Sequence, residues 1–327
     1  MRHCARKQDK TIAWFFRSPG WDSLSLGIAF CLFLCLGSCG VSHKNDTVGL
    51  RYPFHSYSTD AFLKSSSLND VMQPPVITGA VWHSILDGSF SEIGSYARAG
   101  ITSHHLLAAW YIDRFFAELA EQRNQAKTPI KTFIVLSPRH FAQGWELAAF
   151  SKLPWETGLG QLRINSRLAD KLRSATGSKW DPYSFPGEHG IGIPASFIKK
   201  HFPDATMVPV VLEIAGLRMN VLELLAEAIA AAMKKDSSIF LLVSSDFSHN
   251  EGLELTRRRD AQSEAALRDL NGTSARNVCC DNNAGMVVLG LVLEALGRGK
   301  GFTAAHSSGF EIVGIQENIT SYFFCYF

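Results

Sequence analysis

The stretch SIFLLVSSDFSH, residues 238–249, joins an uninterrupted apolar run to a cluster of polar side chains. A short run in which every position is apolar is typical of a β-strand buried on both faces, as in a parallel sheet covered by helices. KTFIVLSPRH (131–140) has the same form, and ATMVPVVLEI (205–214) repeats the apolar run. These three stretches predict the central strands of an α/β protein.

Helical patterns separate the predicted strands. Apolar residues recur at helical spacing in LLAAWYIDRFFAELAEQRNQ (106–125) and GLRMNVLELLAEAIAAAMKK (216–235), and GMVVLGLVLEALG (285–297) supplies another helix. ITGAVWHSI (77–85) and ARAGITSHH (97–105) are predicted to contain further strands. Buried strands joined by amphipathic helices indicate a three-layer α/β/α sandwich with a mostly parallel central sheet.

Histidines follow several of the predicted strands. The polar residues at these strand ends include His104, His105, His140, Asp246 and His249. In open α/β sheets ligands bind at the carboxyl ends of the strands, so we expect these side chains to lie close together. Glu188 and His189, at the predicted start of a helix, are expected at the same edge. The alternative is that all of these residues only cap turns and helix ends.

Length and charge restrict the class of protein. The chain has 327 residues, of which 46% are hydrophobic and 19% are charged, and these proportions are typical of a globular protein. The formal net charge of +2 is close to balance, and TRRRD (256–260), the densest basic run, is interpreted as a solvated helix face. Composition therefore gives no support for nucleic-acid binding.

The first forty residues differ from the rest of the chain. MRHCARKQDK (1–10) is basic, LSLGIAFCLFLCL (24–36) is apolar over the length of a signal-peptide core, and LGSC ends at Cys39. LGSC resembles the bacterial lipobox, in which the cysteine is acylated and becomes the new N-terminus. We therefore predict a lipoprotein signal peptide at 1–38 and a lipid anchor at Cys39 in the bacterial cell envelope, with the outer membrane favoured. A plain secretory signal with a chance cysteine is the alternative.

A polar segment separates this signal from the globular domain. Residues 39–75 are rich in serine and end in Pro-Pro, a composition that predicts a tether, and the domain is expected at 76–327. Of the seven cysteines, Cys279, Cys280 and Cys325 would remain in that domain. Three cysteines are too few for a disulfide scaffold.

Five stretches, in this order, resemble the Memo-like family, also called AmmeMemoRadiSam system protein B. They are ITSHHLLA (101–108), VLSPRHFAQG (135–144), EHGIGIPASFIKKHFPDATMVPVVL (188–212), VSSDFSHN (243–250) and VCCDNNAGMVVL (278–289). The Glu-His-Gly-Ile and Ser-Ser-Asp-Phe-Ser-His segments are specific in combination, and the resemblance covers about residues 76–326. It implies an α/β/α sandwich like that of the class III extradiol dioxygenases, with a site at the carboxyl edge of the sheet.

What the resemblance implies for this site is iron or copper, with zinc as a further option, held by two histidines and a cysteine. The histidines fall on His104 and His140. The cysteine falls on Cys280 without a gap, or on Cys279 after a one-residue slip. Imidazole and thiolate suit these metals, and three ligands leave positions open for substrate. The segment CCDNNAG departs from the Cys-Gly-Arg-x-Pro form of the cysteine-bearing members, so Asp281 is the alternative third site residue.

Four further residues match the polar set of the family and are predicted to be catalytic: Glu188, His189, Asp246 and His249. We interpret the two carboxylates as groups that fix the imidazole tautomers. Either histidine could serve as general acid or base near neutral pH.

Three functions remain open on these residues. The first is a metal-dependent enzyme, either a dioxygenase-like oxidoreductase or a hydrolase, that acts on a small-molecule substrate. The second is a metal-binding or interaction lipoprotein that keeps the scaffold without catalysis, because function depends on the site and not on the fold. The third is an envelope lipoprotein whose histidines are only structural. The family name implies a radical SAM protein and an AMMECR1-like protein as partners, and an exported member is expected to have lost these cytoplasmic partners.

Overall fold

The three predicted central strands lie side by side in the computed structural model of the protein. β3 (Thr132–Pro138) lies between β7 (Thr206–Leu212) and β8 (Ile239–Ser244), and both pairings are parallel. Every residue of β3 and β8 is buried, as an apolar run predicts. The structure describes residues 55–56, 81–87, 90, 96–141, 144–213 and 218–327.

The described residues form a sheet of ten strands. The other seven are β1 (His55–Ser56), β2 (Ala99–Thr102), β4 (Ala148–Phe150), β5 (Trp155–Thr157), β6 (Gly160–Ile164), β9 (Phe302–Ser308) and β10 (Ser321–Tyr326). The order across the sheet is β1-β5-β6-β7-β3-β8-β2-β10-β9, and β4 pairs with β7. Neighbours from β6 to β2 are parallel, whereas β10 pairs antiparallel with both β2 and β9. The predicted mostly parallel α/β sheet is confirmed.

Helices cover both faces of this sheet. They are α1 (Ala109–Gln125), α2 (Ser166–Thr176), α3 (His189–His201), α4 (Met219–Lys235), α5 (Leu253–Arg268), α6 (Asn283–Leu296) and the short α7 (Gly309–Val313). Side chains of a strand alternate between faces, so Phe133 and Val135 pack with α1 and α3, while Ile134 and Leu136 pack with α2, α4 and α6. The sheet therefore separates two hydrophobic cores and gives the expected three layers.

The predicted helices and strands are confirmed with one exception. The strand predicted over 77–85 is wrong for its described part, because residues 81–87 form a loop with turns. The carboxylate of Glu118 accepts hydrogen bonds from the Trp82 indole at 2.8 Å and the Ile85 amide at 3.1 Å, which replaces strand pairing for this segment. No helix in the described ranges is long and apolar enough to cross a membrane. The predicted signal peptide at 1–38 and Cys39 lie outside the described residues.

A short segment before the main run of strands also joins the sheet. His55 and Ser56, which fall in the region predicted as a tether, pair in parallel with Trp155 and Glu156. The His55 ring is buried against the rings of Phe185 and Trp155, and its Nε2 lies 2.7 Å from the Ser151 hydroxyl. Burial lowers the pKa of His55 to about 4, because the apolar surroundings disfavour the charged ring.

The burial of His55 predicts that the free energy of unfolding decreases as the pH is lowered below 7. The unfolded chain binds a proton at His55 near pH 6.5, whereas the folded chain resists protonation down to about pH 4. The free energy of unfolding should therefore fall by about 2–3 kcal/mol between pH 7 and pH 4.5 through this group alone. Urea unfolding of the wild type and His55→Gln at both pH values checks this, since the variant should lack that part of the loss. Parallel pH dependences for the two proteins would contradict the prediction.

Candidate metal centre

His104 is placed by the pairing of β2 with β8. Thr102 pairs with Ser244 in parallel register, so His104 and Asp246 both lie two residues beyond the paired positions. The His104 ring is 2% exposed, and its Nδ1 lies 3.0 Å from the Ser244 hydroxyl. Asp246 Oδ1 accepts hydrogen bonds from the Ser103 hydroxyl at 2.6 Å and from the His104 amide at 3.3 Å. These contacts leave Nε2 as the nitrogen of His104 that is available to the site.

His140 follows β3 and is held by a buried carboxylate. Glu188 is fully buried at the N-cap of α3, where it accepts a hydrogen bond from the Gly190 amide at 2.9 Å. The same carboxylate accepts from the His140 amide at 3.1 Å and lies 2.6 Å from His140 Nδ1. A carboxylate on one imidazole nitrogen is the usual device that orients a metal-binding histidine and leaves its other nitrogen free.

The ring of His189 completes a cluster of three imidazoles. Its centroid lies 3.9 Å from that of His140 and 5.0 Å from that of His104. Burial, together with the neighbouring charges of His104 and His140, lowers the pKa of His189 to about 2. A neutral imidazole is the form that binds a metal ion.

Asp281 lies in the segment before α6, and its side chain extends to the same cluster of histidines. Its backbone amide donates to the carbonyl oxygen of Asp246 at 3.0 Å, and its Oδ1 accepts from the Asp246 amide at 3.1 Å. The Ser245 hydroxyl donates to the same Oδ1 at 2.9 Å. These three bonds hold the Asp281 carboxylate beside the end of β8.

The other oxygen of Asp281 faces three histidines. Oδ2 lies 3.1 Å from Nε2 of His104, 3.6 Å from Nε2 of His140 and 3.6 Å from Nε2 of His249. It is buried and receives no hydrogen bond of acceptable geometry. A buried carboxylate oxygen without a partner is costly, so its setting calls for a positive charge at this point.

Electrostatics at the site follow from this carboxylate. Burial disfavours the charged form of Asp281, but the histidines outweigh that effect and hold its pKa well below the usual range. Burial also disfavours charged His140, yet the carboxylates of Asp281 and Glu188 beside its ring raise the pKa of His140 to about 10. Asp281 likewise raises the pKa of His249 against the effect of burial. The site is thus built around one fixed negative charge.

Two overlapping groups of side chains could hold a metal ion. They are His104, His140 and His189, and His104, Asp246 and Asp281. Within each group the candidate ligand atoms lie within 4.8 Å of one another. Two atoms that share an ion at about 2.1 Å are roughly 3.0–3.6 Å apart, and the distances of 3.1 and 3.6 Å from Asp281 Oδ2 to the imidazole nitrogens match this spacing. The residues present therefore fit a metal.

The structure brings most of the predicted site residues together. The set that meets at the carboxyl edge of the sheet is His104, His140, Glu188, His189, Asp246 and His249. His105, in contrast, acts as a cap, because its Nδ1 accepts from the Leu107 amide at 3.2 Å at the start of a short 3₁₀ helix. The capping interpretation thus describes His105 and not His104.

Cys280 lies elsewhere in the segment before α6. Its side chain packs against the hydrophobic core beneath α4 and α6, and neither of the two groups among the described residues includes it. Burial raises the pKa of the Cys280 thiol, which disfavours the thiolate. The carboxylate that faces the histidines is that of Asp281. The prediction of Cys280 as a ligand stays a prediction.

Asn282 is a site residue that the sequence analysis missed. Its amide nitrogen donates to the carbonyl oxygens of Leu136 at 3.0 Å and Ser244 at 2.9 Å, and so joins β3 to β8. Its oxygen accepts from the Gly285 amide at 2.9 Å and caps α6. Asparagine three residues before a glycine in an apolar helical pattern is an N-cap signal that could have identified it.

Histidines and carboxylates gathered at the carboxyl edge of a parallel sheet define an α/β protein that could hold a metal there. Comparison with known families narrows this class. The model for the family described as Memo-like protein matches residues 112–311, which is more than half of the chain. The chain therefore belongs to the Memo-like family, as its motifs predicted.

Proteins similar to this chain are described as members of the MEMO1 family. A MEMO1 family protein of Pyrobaculum arsenaticum is 26% identical over 199 residues, which cover 58% of this chain and 69% of the relative. A MEMO1 family protein of Pyrobaculum aerophilum is 28% identical over 166 residues, covering 48% and 58%. One of Caldivirga maquilingensis is 30% identical over 132 residues, covering 40% and 46%. The matched region thus spans about half to two thirds of each relative.

The hydrogen bonds of Asn282 predict that substitution of this residue destabilises the protein. Asn282→Ala should lower the free energy of unfolding by about 2–4 kcal/mol, because the carbonyls of Leu136 and Ser244 and one helix amide lose their partner. Asn282→Asp keeps the cap acceptor but turns a carboxylate oxygen toward two carbonyl oxygens, so its loss should be larger. Urea unfolding in the presence of a chelator measures both changes.

Asn283→Ala is the matched control for this prediction. Asn283 makes one side-chain bond, to the Cys280 carbonyl at 3.0 Å, so its loss should be about 1 kcal/mol or less. An Asn282→Ala variant as stable as this control would contradict the role assigned to Asn282.

Proposed function

We propose that this protein is a metal-dependent oxidoreductase in which His104, His140 and Asp281 hold the metal and a small-molecule substrate binds beside it. The observation that carries the proposal is the buried Oδ2 of Asp281, which has no hydrogen bond and lies 3.1–3.6 Å from imidazole nitrogens. Three imidazoles cannot all donate to one carboxylate oxygen, whereas a cation between them satisfies every group at once.

The donor set favours iron over copper. Two histidines and one carboxylate form the ligand set of many non-haem iron(II) oxygenases, which leave positions open for substrate and oxygen. The thiolate that would favour copper(I) is not among these donors, because Asp281 faces the histidines. Zinc accepts the same ligands but supplies no redox chemistry. When bound, iron would supply one-electron and oxygen chemistry at this edge of the sheet.

The surrounding side chains position the donors and handle protons. Glu188 orients His140 through the hydrogen bond between its carboxylate and Nδ1 of His140, and the Ser244 hydroxyl lies within hydrogen-bond distance of Nδ1 of His104. The side chains of His189 and His249 are 27% and 41% exposed, so both are open to substrate. Neutral His189, whose ring lies 3.9 Å from that of His140, can accept a hydrogen bond from a substrate hydroxyl, and His249, with its raised pKa, can donate a proton.

A non-catalytic metal-binding role is the second candidate, and the position of His189 favours it. His189 forms one of the two candidate groups with His104 and His140, and Asp281 Oδ2 lies 3.1 Å and 3.6 Å from Nε2 of these two histidines. If all four side chains supplied donors, they would close a tetrahedral site of the structural zinc type. The two candidates therefore differ in whether His189 is a ligand.

The cellular location is a further part of the proposal. The basic start, the apolar run and the LGSC segment support export and a lipid anchor at Cys39 in the bacterial cell envelope. An exported chain would be separated from cytoplasmic radical SAM and AMMECR1-like proteins. We therefore expect the protein to act on its substrate without these partners.

Loss of a ligand should remove the metal. In protein purified without chelator, His104→Ala, His140→Ala and Asp281→Ala should each lower the bound iron, copper or zinc by about tenfold or more. Elemental analysis measures the metal. The control His83→Ala removes an exposed histidine outside the site and should keep full occupancy. Full occupancy in the three site variants would contradict the ligand assignment.

Two further variants separate the alternatives. Cys280→Ser should change the metal content by less than about twofold, and a loss as large as that of Asp281→Ala would establish the thiolate as a ligand instead. His189→Ala should keep the metal if the site is open and catalytic. A loss of metal in this variant would favour the closed, non-catalytic site.

The lipid anchor predicts a change in mass and in fractionation. Cys39→Ser should abolish cleavage before residue 39 and leave an unprocessed or soluble protein, because serine cannot carry the thioether-linked lipid. Intact mass spectrometry and membrane fractionation of cells that express both forms measure this. Identical masses and identical membrane recovery would contradict the anchor.

A further inference from the structure

Positively charged side chains gather at the edge of the sheet where the parallel strands begin, which is the opposite edge from the candidate metal centre. Arg98 and Lys131, for example, directly precede β2 and β3, and others end or follow a helix that returns to this edge. We call the following six residues the cationic patch: Arg98, Lys127, Lys131, Lys234, Lys235 and Arg298. The four lysines are exposed, and the two arginines are half-buried.

Hydrogen bonds to the segment before β2 tie parts of the cationic patch together. Arg98 donates to the carbonyl oxygens of Met233 at 2.6 Å and Asp236 at 3.3 Å, at the end of α4. Arg298, just after α6, donates to the Tyr96 carbonyl at 2.8 Å. The segment before β2 therefore joins residues at the ends of α4 and α6.

A buried arginine adds to the same charge. Arg123 is 1% exposed, and it donates to the carbonyl oxygens of Ala97 at 2.9 Å and Ser237 at 2.7 Å. Burial, together with the charges of Arg98 and Arg298, lowers the pKa of Arg123 to about 10. Carbonyl oxygens satisfy the N–H groups of these arginines but carry no net charge. The positive charges are thus close enough to repel one another.

Carboxylates do not pair with this charge. In the part of the chain that the structure describes, no member of the cationic patch forms an ion pair. Asp236 lies at this edge, where its carboxylate accepts hydrogen bonds from the amide of Ser238 at 2.9 Å and from its hydroxyl at 2.7 Å. Asp204 is exposed just before β7. The cations outnumber these carboxylates, so the edge carries a positive potential.

The ends of the helices explain only part of this arrangement. The helix dipole favours cations near a C-terminus, and Lys234 and Lys235 lie in the last turn of α4. Arg98 and Lys131, in contrast, belong to no helix. Helix stability therefore does not account for the whole patch, whereas an anionic partner would attract all six side chains.

The chemistry of the cationic patch favours a lipid surface over a nucleic acid. Sites for single-stranded nucleic acids place aromatic rings among basic residues, because the bases stack on these rings. The ring of Tyr96, in the segment before β2, is instead covered by the Arg123 guanidinium at 4.4 Å. Long, exposed lysine side chains suit a membrane surface, whose anionic headgroups form a diffuse layer of charge.

We propose that the cationic patch binds an anionic phospholipid membrane. The parallel strands run from this edge toward the candidate metal centre, so the centre would face away from the membrane and stay open to solutes. The lipid anchor proposed at Cys39 favours this partner, because the 15 residues between Cys39 and His55 span at most about 50 Å. The proposed metal chemistry is not needed for this binding.

Vesicles of two compositions test the proposal. The full chain with Cys39→Ser carries no acyl group, so the result does not depend on the anchor. This protein should bind vesicles that contain phosphatidylglycerol about tenfold more tightly than vesicles of phosphatidylcholine alone, as measured by flotation. The preference should fall when salt is raised from about 50 mM to about 500 mM, because the Debye length shortens.

Charge reversal in the cationic patch should remove this preference. The triple variant Lys131→Glu, Lys234→Glu and Lys235→Glu should bind the phosphatidylglycerol vesicles about tenfold more weakly than the unsubstituted chain. A matched control reverses three exposed arginines outside the patch and should keep the preference: Arg257→Glu, Arg258→Glu and Arg276→Glu. Both variants change the net charge equally and keep the basic segment at 1–10, so only the position of the lost charges differs.

Folding and the other anionic partner are tested alongside. Urea unfolding shows whether each variant is folded, and glutamine at the same three positions replaces a patch variant that is not. The glutamine variant should also bind the phosphatidylglycerol vesicles more weakly than the unsubstituted chain. Equal affinities for the two kinds of vesicle, or equal losses in the patch and control variants, would overturn the proposal. Binding of a single-stranded oligonucleotide that only the patch variant loses, with vesicle affinity unchanged, would overturn it in favour of a nucleic acid.

Discussion

The carboxylate of Asp281 is the charge around which the carboxyl edge of the sheet is arranged. One oxygen is fixed by the Ser245 hydroxyl and the Asp246 amide, and this leaves the other oxygen to face the imidazoles of His104, His140 and His249. A buried negative charge in this position is unfavourable unless a positive charge lies close to it. Protonated histidines or a bound cation can do so, and the shared oxygen makes the cation the better solution.

The edge can hold this charge because the strands beneath it are tied together. Asn282 joins the carbonyls of Leu136 in β3 and Ser244 in β8 and caps α6, so the residue next to Asp281 is fixed on three sides. Glu188 has the same double role at the start of α3, where it caps the helix and holds His140. The same side chains thus cap helices and hold the residues of the site, and a site supported in this way would lose little entropy on binding a metal.

The fold also places the polar residues of the site and the exposed aromatic rings beside it on different kinds of element. His104 and Asp246 lie just beyond strand ends, where parallel pairing fixes their positions, and the exposed rings of Phe141, Trp145 and Tyr183 lie on the loops after His140 and before Glu188. Loops can vary in sequence without disturbing the core. Asp181 gives these loops an order that their sequence does not indicate.

The sequence by itself determined the layers of the sheet and the edge where the site lies. The uninterrupted apolar runs of β3 and β8 required burial on both faces, and the polar residues that follow each strand then had to meet at one edge. His104 and His140 could be predicted for this reason. Only the tertiary structure shows the Asp281 carboxylate beside them, because its position depends on the backbone hydrogen bond from the Asp281 amide to the Asp246 carbonyl. The place of His55 in the sheet and the contact between the Trp145 and Tyr183 rings were also decided only by the tertiary structure. Both depend on residues far apart in the chain, and such contacts give no local sequence pattern.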